Sequence, residues 1–472
     1  MRLQVCKTFA FFFTLFFLLS LGVQAQEKKS TVGIRNVTLI NMVSGTPETD
    51  MTVLISGNRL TRIGKSEKVR IPKGAHVIDG SGKFLIPGLW DMHVHIFNNV
   101  SNVGTHNKET HFPLFIANGV TGMRDMFSDG DDIKLARQWQ TEIDAGTTIG
   151  PRIAVGSRIV DGPPSFLPNL MVVKTADEGR AAVRTLKKEG AGFIKVYWNL
   201  TPDAYYAIAD ESKKLGIVFA GHVPFSISAA DVSDAGQKSI EHLTGIVETC
   251  SSKEDELRKK EWTPEVGEET YATYDAKKCL NLFKRFAKNG TWHTPTAILH
   301  RGMSLYDDDR FRNDVNFKYV SKATLNDWAN SPQLDKSHEF KVRKERFERL
   351  IETIGIMHRA GVPILAGTDN NNPYVIPGFA LHDELELFVK AGMSPLQALR
   401  TATTNPAKYL GLETSVGTIE NGKLADMVIL DANPLNEISN TRRINAVIIN
   451  GRYLPKETLE KMLLGVEAAV KK

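Results

Sequence analysis

Two histidines spaced i, i+2 close an apolar run at Pro87-Gly88-Leu89-Trp90-Asp91-Met92-His93-Val94-His95. Side chains alternate faces along an extended chain, so both imidazoles leave it on the same side. Neutral imidazoles converging from one strand end are a start on a metal site. Other ligand-type residues end later apolar runs. They are Lys195 in Gly192-Phe193-Ile194-Lys195-Val196, His222 after Gly221, His242 after Glu241, and Asp369 in Ala366-Gly367-Thr368-Asp369. Brought to one point, such groups could bind a cation, acidify a water and move its proton.

The elements that must position them can be counted. Strand-like runs at 84–95, 120–126, 152–160, 192–198, 217–222, 239–242, 291–297 and 363–369 alternate with helix-compatible stretches such as 178–189 and 202–215. Repeated β–α units with eight strands predict an α/β protein, a (β/α)8 TIM barrel spanning 86–408. Catalytic residues in that architecture sit at the C-terminal ends of strands, where all of the residues above fall. Short strands and turn residues fill 26–85 and return at 409–454, which predicts a small β-sandwich assembled from both chain ends. A helix over 455–472 closes the chain. Charged inserts at 246–288 and 298–345 follow strands six and seven and are candidate lids or specificity walls.

With these residues in place, the chain resembles the amidohydrolase superfamily over nearly its whole length after the leader. The matching motifs are Pro-Gly-Leu-x-Asp-x-His-x-His, the strand-eight Gly-Thr-Asp, and Gly-x-Ile-x-x-Gly-Lys-x-Ala-Asp-x-Val-x-Leu at 417–430. The flavour is imidazolonepropionase-like and Xaa-Pro-dipeptidase-like. The resemblance implies two divalent ions, zinc by preference. His93, His95 and Asp369 would hold one and His222 and His242 the other. Lys195, carbamylated by carbon dioxide, would bridge them. It also implies hydrolysis of a C–N bond by a metal-bridging hydroxide, with Asp369 moving the proton and His242 assisting if it is not a ligand.

Deaminase-like and imidazolonepropionase-proper members of the superfamily place a catalytic Glu shortly after the strand-five histidine; His222-Val223-Pro224-Phe225-Ser226 has none, so the resemblance implies a two-metal hydrolase over a deaminase. Dipeptides or N-acyl amino acids are the expected substrates. A lactam or ester hydrolase, a deaminase, or a non-catalytic scaffold on the same barrel are the alternatives. Tyr197 could bind a substrate carboxylate or simply pack at the barrel mouth. Arg124 could do the same, although Asp125 beside it offers a structural partner. His106, His111, His293, His300, His338, His358 and His382 are read mostly as surface or structural residues, with His382, just after strand eight, the nearest to an exception.

Residues 1–25 read as a cleaved signal peptide: basic Arg2 and Lys7, an apolar stretch at 9–21, then Val23-Gln24-Ala25. A secreted or periplasmic protein is expected. Two of the three cysteines, Cys250 and Cys279, follow the leader and could form one disulfide in that setting. The net charge of +5 comes partly from the leader. It gives no reason to propose nucleic acid or, after cleavage, a membrane as partner. A small molecule is the expected partner, and no oligomeric state is assigned.

Overall fold

The computed structural model describes residues 31–97, 108–165, 167, 169–260 and 263–471. The leader reading and His106 lie outside the described residues. Among those residues no helix is long and apolar enough to cross a membrane.

The fold is α/β and TIM-barrel-like. Parallel strands Leu89–Val94, Val120–Asp125 and Arg152–Val155 form one sheet. Ile159–Asp161, Phe193–Val196, Val218–Gly221, Ser239–Glu241 and Trp292–Thr294 run in parallel through a second, which the short strand Met171–Val172 edges. Backbone bonds span the gap between them, such as Gly192 N to Val155 O at 3.0 Å. On the other side the segment around 364–366 links the two: Leu365 N donates to His293 O at 2.8 Å and Met92 N to Ala366 O at 2.9 Å.

Three sequence expectations change in detail. The run at 84–95 is two strands, split at Gly88. Phe84–Pro87 pairs with Met427–Leu430 in the sheet of the chain ends, and Leu89–Val94 is the first of the parallel strands. Gly88 is required at the junction, because a Cβ there would lie 2.0 Å from Thr121 Oγ1. The run at 152–160 likewise breaks between Val155 and Ile159. The run at 363–369 is an irregular segment with isolated parallel bridges, His293 to Ile364 and Val94 to Asn370. Gly367 lets it press on its neighbours, since a Cβ would lie 2.5 Å from Thr294 Cγ2 and 2.9 Å from His93 Cβ.

The chain ends meet in one continuous eight-stranded sheet, where the sequence reading expects a small sandwich. It is assembled from Thr31–Ile40, Pro47–Ser56, Arg59–Lys65, His76–Asp79, Phe84–Pro87, Met427–Leu430, Ile444–Ile449 and Arg452–Pro455. The sheet curls back on itself: Leu60 on the far strand donates to Lys423 O at 2.9 Å and accepts from Gly422 N at 2.7 Å. Inside the curl Ile34, Val53, Ile55, Leu85, Met427, Ile429 and Ile448 form an apolar core of their own. The helix Lys456–Val470 packs beside the helix Lys108–Ala117, burying Leu459 and Val466.

Both inserts fold as helices. The first carries Ile246–Cys250, Glu254–Leu257, Pro264–Ala272 and Ala276–Asn289. The sulfurs of Cys250 and Cys279 lie at 2.13 Å, closing a loop of 29 residues within this insert. Both cysteines are buried. A loop of that length restricts the unfolded chain by about 3–4 kcal/mol on the chain-entropy estimate. Replacing both cysteines by serine should therefore lower the midpoint of denaturant unfolding by a corresponding amount, or unfold the insert first. Unfolding under oxidising and reducing conditions checks this, and reductant should have no effect on the double variant.

Candidate metal centre and active site

The strand ends deliver a compact group of ligand-type atoms. One donor atom each from His93, His242 and Asp369 lies within 4.8 Å of the others. His95 Nε2 is 2.9 Å and His93 Nε2 3.4 Å from Asp369 Oδ1, and His242 Nδ1 is 3.8 Å from Asp369 Oδ2. The His222 ring centre lies 4.9 Å from that of His242. Lys195 sits on the adjacent strand, in register with Ala220, and is buried. Asp369 thus stands among His93, His95 and His242, cutting across the division into two ligand sets that the resemblance implies.

A cation fits this chemistry. His93 Nε2, His95 Nδ1 and His222 Nδ1 are buried ring nitrogens with no hydrogen-bond partner. Leaving such atoms unsatisfied costs about 1–3 kcal/mol each, and more for a charged group. Burial, reinforced by Lys195, pushes His93 down to about 4 and His222 well below the ordinary imidazole range. Burial and then His93 do the same to His242. All three are neutral at physiological pH, the form that binds metal. Burial opposes ionisation of Asp369, but His93, His242 and His95 outweigh it and hold the carboxyl well below its usual range. Burial also pushes Lys195 down to about 8.

The supporting contacts fix the ring tautomers. His93 Nδ1 donates to Glu241 Oε2 at 2.9 Å, which leaves the lone pair on Nε2, facing Asp369. His242 Nδ1 lies 2.8 Å from Thr296 Oγ1, whose own proton goes to Pro295 O. The hydroxyl therefore accepts from His242, whose lone pair is again on Nε2. Helix Ala297–Ser304 backs this contact: His300 Nε2 donates to His242 O at 3.2 Å, and buried Glu384 caps the helix through Ala297 N and Ile298 N.

Asp91 ties strand one to the segment bearing Asp369. It accepts from Thr368 N at 3.0 Å, Thr368 Oγ1 at 2.6 Å and His93 N at 3.2 Å. Burial pushes it up to about 7. His242, Thr296 and Asp369 all adopt left-handed backbone, at φ 58°, 48° and 58°. For residues other than glycine this costs about 1–3 kcal/mol each, and all three belong to the ligand cluster or its supporting contacts.

Arg124 is a correction. Its guanidinium is fully buried below the ligand cluster and fully committed. It donates to Glu241 at 2.9 and 3.0 Å, to Met92 O at 2.6 Å, to Tyr409 OH at 2.8 Å, to Ser239 Oγ at 3.1 Å and to Thr294 Oγ1 at 3.2 Å. It cannot reach a substrate, and its partner is Glu241, not Asp125. Asp125 instead accepts from Ile96 N, Phe127 N and Ser128 Oγ. Tyr197 lies at the site, its ring 4.2 Å from that of His222 and 4.8 Å from that of Trp198. His382 is structural, bonded to Thr441 Oγ1 and Asn118 O.

Glu241, Asp91, Thr296 and His300 are the residues that sequence reasoning missed. Two of them had a signal: Asp91 stands two residues before His93 in the Pro-Gly-Leu-x-Asp-x-His-x-His motif, and Glu241 shares with Ser239 the strand face that alternation turns inward.

With this geometry described, comparison with known proteins gives the class. The family model described as the amidohydrolase family matches residues 84–454, and the chain belongs to that family. It is a hydrolase acting on carbon–nitrogen bonds, and divalent metals are general in its superfamily. Ochratoxinase of Aspergillus niger is 24% identical over 77% of this chain and 73% of its own length. Imidazolonepropionase of Alkaliphilus metalliredigens is 23% identical over 86% and 90%. A solved Xaa-Pro dipeptidase with methionine bound in its active site shares the fold at a TM-score of 0.64, with 22% identity over 90% of this chain and 100% of that one.

Replacing Glu241 by Gln should weaken metal binding by about 10–100-fold, because it removes the carboxylate that orients His93. Competition with a chromophoric chelator measures this. Unchanged affinity in a folded variant would remove the orienting role.

Proposed function

We propose that the protein is an exported metal-dependent amidohydrolase that cleaves the amide bond of dipeptides or N-acyl amino acids. The observation that carries this reading is a buried, ionised Asp369 set among His93, His95 and His242, with ring nitrogens of His93, His95 and His222 left without partners. His93, His95, His222, His242 and Asp369 would hold two divalent ions, zinc by preference, on a closed ring of eight strands. Lys195, as a carbamate, would complete the set. Its burial favours the free amine, which is the form that adds carbon dioxide.

Bound metal would supply Lewis acidity and an activated water at neutral pH. Asp369 then accepts the proton of the attacking water and returns it to the leaving nitrogen, general base followed by general acid. His242, at the edge of the cluster, faces the space where a substrate carbonyl would lie. Tyr197 and Trp198 border His222 and exclude water from that side. Methionine in the related dipeptidase's active site supports a substrate of amino-acid size. The missing acid after His222 argues against a deaminase. The leader at 1–25 supports export.

The test is hydrolysis of a dipeptide and N-acyl amino acid panel by the mature protein, followed by amine release. Activity should vanish with a zinc chelator and return with zinc and bicarbonate. Asp369→Asn should lower kcat by on the order of 10²–10⁴-fold. Release of ammonia from aminopurines with no amide cleavage would overturn the reading.

A further inference from the structure

The two inserts do more than cover the barrel. With the helix Phe340–Arg359 they enclose a cavity of about 490 Å³ that begins at His242. That is the size of a pocket for a small organic molecule. Val247, Tyr271, Met303, Phe347 and Leu350 give it apolar and aromatic walls, contributed by four different helical segments. The walls are preorganised. The Cys250–Cys279 bridge, the Lys278–Glu254–Arg258 pairs and the Lys253 and Lys260 contacts with Glu269 hold the first insert together.

The charges on the lining are mostly used up. Arg346 pairs with Glu268, and His338 sits between Asp335 at 2.8 Å and Glu268 at 3.0 Å. Arg349 at the rim is exposed and has no ion pair among the described residues. Of the lining carboxylates, Asp335 is committed to His338, and burial favours the neutral form of Glu248.

We propose that this cavity is the specificity site and takes the aryl-bearing, anionic end of the substrate, with Phe347, Tyr271 and Met303 around the ring and Arg349 on the carboxylate. The proposal rests on the amide-hydrolase reading for what happens at the other end of the molecule. It predicts that substrates with a bulky aromatic group and a free carboxylate outrank small or cationic ones. A lining that buries an aromatic ring discriminates by factors of roughly 10–200 for each group it gains or loses.

The test separates the two readings by measuring binding. Ligand-observed NMR would give the Kd of 3-phenylpropanoate and of propanoate on metal-loaded protein and on the variants Met303→Trp, Leu350→Trp and Arg349→Ala. Phenylpropanoate should bind at least about tenfold tighter than propanoate. It should weaken at least about tenfold in either cavity-filling variant and about fivefold in Arg349→Ala. Two filling variants guard against one that fails to fold. Equal affinity for the two acids, no binding, or binding lost on metal removal yet untouched by both filling variants would overturn the proposal. A wild-type protein that binds the aryl acid but hydrolyses no amide would count against the amide reading and leave the cavity assignment standing.

Discussion

A buried ion pair holds the site up. Arg124 and Glu241 are both fully enclosed beneath the histidines, and every other donor of Arg124 goes to a neighbouring strand or to Tyr409. Losing one member of such a pair strands a buried charge and costs about 3–5 kcal/mol. The same carboxylate accepts from His93, so the pair that ties strands one, two, six and seven together also aims a ligand-type imidazole. Burial opposes the Glu241 charge, but Arg124, with His93, outweighs it and holds the carboxyl well below its usual range.

Above this floor the structure carries features that stability alone does not favour. Several lone pairs are buried without partners, and three non-glycine residues hold left-handed backbone beside them. Both patterns concentrate where a fold is shaped for a ligand. They are affordable because the surroundings over-determine them: Asp91 locks Thr368 next to Asp369, while Thr296 and His300 hold both ends of His242. Residues of both inserts line a pocket that includes His242, so helical walls stand beside the strand ends that carry the ligand-type groups.

Much of this was legible in the sequence. Apolar runs ending in His, Lys and Asp located the parallel strands of a TIM-barrel-like fold and the end at which the ligand-type residues gather. The breaks fall at Pro87-Gly88 and at Gly156-Ser157-Arg158, turn-type residues lying inside runs read as single strands, and the close approach of Thr121 to Gly88 shows why the first admits no side chain. The role of Arg124 was hidden. A cation near a strand end looks available until the partner from another strand is placed, and Glu241 lies 117 positions away. The His242 geometry depends on a left-handed residue that no propensity favours. The inserts read as candidate lids or specificity walls, but the cavity they share arises only when the two pack against one long helix.

The central claim is that these buried atoms form a metal centre bridged through Lys195. Metal analysis by inductively coupled plasma mass spectrometry tests it most directly, on protein purified without chelator and supplied with zinc and bicarbonate. The account predicts about two divalent ions per chain, falling to one or none in Lys195→Ala. A chain without bound metal, or a single ion that persists unchanged in the variant, would contradict it.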